Sequence, residues 1–424
     1  MLLAVVPGHA APFRRLPCPD ALGAVADCHE ARDAKGAYVL VAMPREWNRR
    51  LIVHAHGGPR LSDPQSGDAR EDLDRHAVMV RAGYAWVGST YRRGGYGVRM
   101  AAADVERSRR LFLRQWPRPQ RIFLHGQSWG GNVAAKLAEL HALDARGRAR
   151  YDAVLTTNGV LTGGTRAYGF RADLRAVWQF YCRNHPAPDE PQYPLWQGLP
   201  TASTMTRAEL MQRVEHCTGW SAAPAARSSS QAAALHAILA VTGIAESQLP
   251  SHLAWATFHF RDLVHKRLGG RNPFDNRHTR YRGSADDAAL NAGVQRFSAD
   301  PAALAQLAYD ADLSGLIVLP TLNVHARHDP VVSPRALALY AATVRHAGRS
   351  HLLAQVSTEE TEHSRLADAT YLGALQALET WLDTGVRPDA AALRFGQQGA
   401  ASGASAAATV GREWLRPQRR ARGW

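Results

Sequence analysis

The chain has 424 residues, 46% of them hydrophobic and 21% charged. These are the proportions of a water-soluble globular protein, long enough for one large domain with an insertion or for two ordinary ones. No run comes near the roughly 18 consecutive apolar residues that a membrane helix needs, which excludes a transmembrane helix. The formal net charge is +14, but arginine is scattered along the whole chain and no zinc-ligand spacing or aromatic-flanked basic repeat accompanies it. Nucleic acid is therefore not expected as a partner, and the charge implies at most a general attraction to anionic surfaces.

Taken in order, residues 1–11 (Met-Leu-Leu-Ala-Val-Val-Pro-Gly-His-Ala-Ala) are apolar and end in small residues. They resemble the back half of a secretory signal without its positive start, as though the start codon lay too far downstream. Four cysteines form two local pairs, Cys18 with Cys28 and Cys182 with Cys217. With an even count, disulfides and a periplasmic or secreted location are the expectation; the alternative is four reduced thiols in a cytoplasmic protein.

Residues 12–162 alternate β-branched runs with amphipathic stretches, the pattern of strand-helix-strand units in a mostly parallel sheet. Strands are expected at 37–43, 50–54, 85–90, 121–124 and 153–157, and helices at 70–82, 98–115 and 131–143. The rhythm then stops. Residues 163–310 are far more than a crossover needs, and they are rich in Trp, Pro, His and Arg. They read as a helical insertion, a lid, with Trp178, Phe180, Tyr181, Trp196, Trp220, Trp255 and Phe258 as apolar contacts and the Cys182–Cys217 pair as a staple. The rhythm resumes over 311–386, with strands at 316–324 and 351–356 and helices at 334–345 and 368–384. Residues 387–424 are a low-complexity tail that turns basic, expected to be disordered from about Ala400.

The most informative segment runs from Arg121 to Asn132 (Arg-Ile-Phe-Leu-His-Gly-Gln-Ser-Trp-Gly-Gly-Asn). It reads as strand, sharp turn and helix, with Ser128 at the turn. Glycines two positions either side, Gly126 and Gly130, leave room for a strained backbone that lifts the serine Oγ to the mouth of the sheet. On this Gly-Gln-Ser-Trp-Gly elbow the chain resembles the α/β-hydrolase superfamily, over about residues 50–165 and 315–385. The resemblance implies an α/β fold with helices flanking a mostly parallel sheet, and a Ser-acid-His triad in that chain order, each member after a strand.

Asp329, in His-Asp-Pro just past the 316–324 strand, is then the acid, although Asp-Pro is also a common turn former. Asp310 and Asp312 precede the strand and are poorer candidates. His363, in the loop after the last strand, is the histidine, with His346 and His351 as fallbacks; Glu362 stands where the family commonly has glycine. Two oxyanion donors are needed. Trp129 N–H is the first, and His56-Gly57-Gly58 resembles the family's His-Gly motif, with Gly58 preferred and Gly57 the alternative; His-Gly-Gly-Pro is otherwise a tight turn. Tyr91, Arg92 and Arg93, on the same rim, are either cleft residues for an acidic part of the substrate or a solvated loop.

These residues imply a hydrolase of small or polymeric carboxylic esters, acting through an acyl-enzyme. A peptidase or amidase with the same triad is the alternative, followed by a scaffold that only binds a ligand. No cofactor is expected, and no metal, because the histidines lack His-x-x-x-His or comparable spacing. Oligomeric state is not legible.

Overall fold

The computed structural model describes residues 12–389. The expected signal segment at 1–11 and the tail from residue 390 lie outside the described residues.

Nine strands form one sheet: β1 (Arg14–Leu16), β2 (Ala26–Arg32), β3 (Tyr38–Pro44), β4 (Arg50–Ala55), β5 (Ala85–Ser89), β6 (Arg121–Gln127), β7 (Ala153–Thr157), β8 (Thr321–Ala326) and β9 (Leu353–Thr358). Their order is β1-β2-β3-β5-β4-β6-β7-β8-β9. Pairings from β1 through β3 to β5 are antiparallel, and from β5 through β4 to β9 they are parallel. Every residue of β5, β7 and β8 is buried, as strands covered on both faces must be. This is an α/β-hydrolase fold.

One face carries α3 (Val98–Gln115) and α4 (Trp129–His141), which pack Val105, Phe112, Val133 and Leu137 against the sheet. The other face is covered by α1 (Arg70–Arg75), α2 (Ala77–Arg81) and α12 (Asp368–Thr384), through Leu73, Val78, Tyr371 and Trp381. Between β7 and β8 the chain forms α5 (Gly163–Cys182), α6 (Arg207–Thr218), α7 (Ser229–Thr242), α8 (Leu249–Ala254), α9 (Asp287–Gly293) and α10 (Pro301–Ala311); α11 (Arg335–His346) precedes β9. Past α8 the coil widens into π-helical turns at Trp255–His259 and Asp262–Arg267.

The helices between β7 and β8 have local start signals. Thr206 with Glu209 and Ser228 with Gln231 form complete capping boxes at α6 and α7, each satisfying two otherwise orphaned N–H groups. Their apolar faces share one core with the sheet: Leu174, Val177, Leu210, Val214, Leu235 and Ile238 belong to the same buried cluster as Val53 and Val87. Of the aromatics expected to build this segment, Trp178 is fully buried, whereas Phe180, Tyr181, Trp196, Trp220, Trp255 and Phe258 are partly buried around it. Among the described residues no single helix is long and apolar enough to cross a membrane.

Several boundaries depart from the sequence expectations. Strands β1 and β2 were not anticipated, because β1 has three residues and β2 carries Asp27, His29, Glu30 and Arg32 among its seven. The helix expected over 70–82 breaks at His76, whose imidazole turns inward and donates from Nδ1 to the Asp72 carbonyl at 2.9 Å. Burial, followed by the nearby His54, pushes His76 down to about 3, so the ring is neutral. Strand β8 starts only after Pro320, and Leu316, expected inside it, is 53% exposed.

The cysteines pair as Cys18–Cys28 and Cys182–Cys217. The first ties the chain after β1 to β2; the second joins the ends of α5 and α6 across a separation of 35 residues. Closing a loop of that length removes about 3–4 kcal/mol of unfolded-state freedom on the chain-entropy estimate. Replacing Cys182 and Cys217 together by serine should lower unfolding free energy by about that amount. Denaturant titration under non-reducing conditions checks this, and an unchanged midpoint would contradict it.

Candidate active site

Ser128 links β6 to α4 at φ 56°, ψ −126°, a region that non-glycine residues occupy only under constraint. The constraint is crowding at the elbow. A Cβ on Gly126 would lie 2.2 Å from the Gly130 carbonyl oxygen, and one on Gly130 would lie 2.1 Å from the Ala55 carbonyl oxygen. Only with glycine at both positions can α4 start directly against the ends of β4 and β6. This places α4 two residues earlier than the sequence reading, with Ser128 as its N-cap.

The structure brings three of the expected residues together. His363 Nε2 lies 2.8 Å from Ser128 Oγ, and His363 Nδ1 lies 2.8 Å and 3.0 Å from the two carboxylate oxygens of Asp329. The Asp329 side chain is fully buried. Its Oδ1 also accepts from Val331 N–H at 2.8 Å and Val332 N–H at 3.0 Å, so one carboxylate both shapes the turn through Pro330 and holds the imidazole. Asp310 and Asp312 are used elsewhere: Asp310 accepts from Val98 and Arg99 N–H at the start of α3, and Asp312 caps the start of α5 through Thr165.

The loop carrying His363 is anchored by two residues that the sequence reading did not single out. Asn158 donates from Nδ2 to the carbonyls of Glu362 and His363, both at 2.9 Å, and accepts from Ala326 N–H at 2.8 Å. Gln127 donates to the same His363 carbonyl at 2.8 Å. Asn158 follows β7 with φ 47°, and an Asn-Gly pair at a strand end is the only sequence sign of it. Beneath Asp329, His325 donates from Nε2 to the Val332 carbonyl at 2.9 Å, and burial lowers its pKa, keeping it neutral.

The strap after β4 passes beside the serine. A Cβ on Gly57 would lie 2.7 Å from Gln127 Oε1 and 3.4 Å from Ser128 Cβ, whereas Gly58, at φ 56°, faces open space. None of the N–H groups of Gly57, Gly58 and Trp129 donates to a protein acceptor in the described region. The strap is fixed from behind. Arg60 can only donate, so His56 Nε2 accepts from it at 3.1 Å and His56 Nδ1 donates to Asp72 at 2.5 Å. Burial alone would raise the Asp72 carboxyl, but His56 and His54 outweigh it and hold the group well below the usual range.

The expected cleft residues on the next rim have other partners. Tyr91 is 3% exposed and donates its hydroxyl to the His56 carbonyl at 2.8 Å, which makes it a support of the strap. The Arg92 guanidinium is bound to buried Asp104, and Arg93 donates to the carbonyls of Gly94 and Tyr96. An arginine beside a buried carboxylate gains more there than in a wet cleft.

The strap is met from above by the inserted helices. His259 Nε2 lies 3.1 Å from the Pro59 carbonyl, and the Trp255 ring stacks on His259 at 4.0 Å. Arg171 sits over Trp255 at 4.9 Å. His252 is buried next to Phe170; burial, then the charge of Arg171, holds it well below its usual range.

No family model and no curated protein matches the chain. Among solved structures, lipase A of Candida antarctica is 12% identical over 91% of this chain and 84% of that one, with a TM-score of 0.48. The rice cell wall degrading esterase LipA of Xanthomonas oryzae is 15% identical over 89% and 98%, with a TM-score of 0.42. Feruloyl esterase B of Aspergillus oryzae is 12% identical over 91% and 89%, with a TM-score of 0.41.

If crowding sets the elbow, Gly130→Ala must push α4 off the β4 end. We expect it to cost about 1–3 kcal/mol or more, as overpacking does, read as a lower urea midpoint. Ala substitution at Gly169, a helical glycine of α5 with nothing within 4 Å of its Cβ position, controls for the substitution without crowding. Equal losses at both positions would refute the crowding account.

Proposed function

We propose that this chain is a serine hydrolase that cleaves carboxylic esters through an acyl-enzyme. The observation that carries the proposal is the relay Ser128 Oγ to His363 Nε2 and His363 Nδ1 to Asp329, with links of 2.8 Å, lying beside N–H groups that have no protein acceptor. His363, held in the Nδ1–H tautomer by Asp329, takes the Ser128 proton as Oγ attacks the ester carbonyl. The oxyanion is received by Trp129 N–H at the head of α4 and by Gly58, or Gly57, N–H from the strap. Imidazolium His363 then protonates the leaving alcohol, and water repeats the sequence to release the acid.

In this reading residues 163–310 are a lid. The contacts of His259 with Pro59 and of Trp255 with His259 put an aromatic surface over the strap, which suits an apolar or aromatic acyl or alcohol group. Two disulfides suit an oxidising compartment, in keeping with a periplasmic or secreted enzyme acting on small or polymeric esters.

An ester panel assayed beside aminoacyl anilides tests the reading. Esters should turn over and anilides should not; the reverse result would make the chain a peptidase or amidase with the same relay. Ser128→Ala should lower ester kcat/KM by about 10⁴-fold or more. Asp329→Asn, which releases the tautomer, should lower it by about 10³–10⁴-fold. Rates unaffected by Ser128→Ala would sink the proposal.

A further inference from the structure

Behind the strap, on the sheet face away from α4, three histidines from separate elements meet. His54 is in β4, His76 lies at the break between α1 and α2, and His125 is in β6. Each is no more than 1% exposed, and one ring nitrogen of each lies within 4.8 Å of the others. The sequence offered no ligand spacing here, because the three are scattered through the chain and converge only in the folded sheet.

We propose that His54, His76 and His125 bind one divalent transition-metal ion, zinc by their donor set, as a structural staple beneath the strap and the elbow. Three imidazoles suit zinc among the divalent ions. The case rests on where each ring's second nitrogen points. His76 Nδ1 donates to the Asp72 carbonyl, which leaves Nε2 as a bare lone pair, buried and without any hydrogen-bond partner. His125 Nε2 faces Thr157 Oγ1 at 3.1 Å, and His54 Nε2 faces Asp72 Oδ2 at 3.6 Å. His76 and His125 thus each have an acceptor behind the ring, the arrangement that orients metal-bound histidines and fixes their tautomers, while His54 Nε2 makes no hydrogen bond and has the Asp72 carboxylate near it.

The nitrogens left over turn towards one another. His54 Nδ1 and His125 Nδ1 are 3.0 Å apart. Two nitrogens on one tetrahedral zinc, at about 2.0–2.1 Å from the metal, are separated by about 3.3 Å, so this pair needs little movement. A proton shared by the pair would relieve their repulsion but would still leave His76 Nε2 orphaned; one cation satisfies all three. Asp72 is the carboxylate beside the rings, its Oδ2 also held by His56. The ion would join β4, β6 and the α1–α2 break, two residues before His56 and three before Ser128.

The test uses the full chain with its disulfides intact, unfolded with chelator, desalted, and refolded with or without zinc chloride. The expected result is about one zinc per chain after gel filtration, and a higher thermal midpoint than the metal-free refolded protein. Cobalt(II) in place of zinc should give the intense visible bands of a tetrahedral site, which needs no variant. His76→Gln and His125→Gln should each reduce retained metal about tenfold or more. A refolded chain that takes up less than about a tenth of an equivalent would overturn the proposal. So would cobalt uptake without tetrahedral bands, or metal retained undiminished in folded His76→Gln and His125→Gln.

Discussion

Everything at the site depends on the backbone of Ser128 being held where a serine does not rest by choice. Its φ of 56° is maintained by the contact of α4 with the ends of β4 and β6, made possible where Gly126 and Gly130 have no side chains. That single constraint sets three things together. The hydroxyl reaches His363 Nε2, the first N–H of α4 belongs to the next residue, and the helix starts at Ser128 itself. An unstrained serine in the same sequence would lie along the sheet or inside the helix, out of reach of His363.

The parallel sheet brings the remaining groups to that point because its strands end on one edge. Asp329 and the His363 loop follow β8 and β9, while Asn158 follows β7 and ties the loop back to the elbow. Gln127, the residue before the serine, bonds the same carbonyl. The histidine is therefore positioned from both sides of its own backbone, with Asp329 controlling its ring. The strap on the opposite side has comparable support from Asp72, Tyr91 and His259, which bond His56 and Pro59 on either side of Gly57 and Gly58.

How much of this could be read from the sequence follows from the range of each constraint. The elbow was legible because its serine and both glycines lie within five residues, although the Ala55 carbonyl that crowds Gly130 lies far away in the chain. Asp329 and His363 were legible because the resemblance placed them after particular strands. The Asn158 bond to His363 spans 205 residues and leaves only an Asn-Gly pair as a trace. Arg92 and Arg93 were left open between cleft groups and a solvated loop because a sequence does not show where a guanidinium finds its partner; Asp104, on α3, takes Arg92. Strand β2 escaped notice for the converse reason: near the sheet edge, its polar residues hide the alternation that marks a strand. The meeting of His54, His76 and His125 needs the sheet register and the break in the α1–α2 stretch, neither of which is encoded locally.

The central claim is that Ser128, and no other nucleophile, forms the covalent bond to substrate. The most direct measurement is peptide mapping by mass spectrometry after the folded chain reacts with a fluorophosphonate. The account predicts a single phosphonyl adduct on the peptide containing Ser128, absent when the chain is unfolded before exposure. An adduct on another residue, or ester turnover by a chain that accepts no adduct, would contradict it.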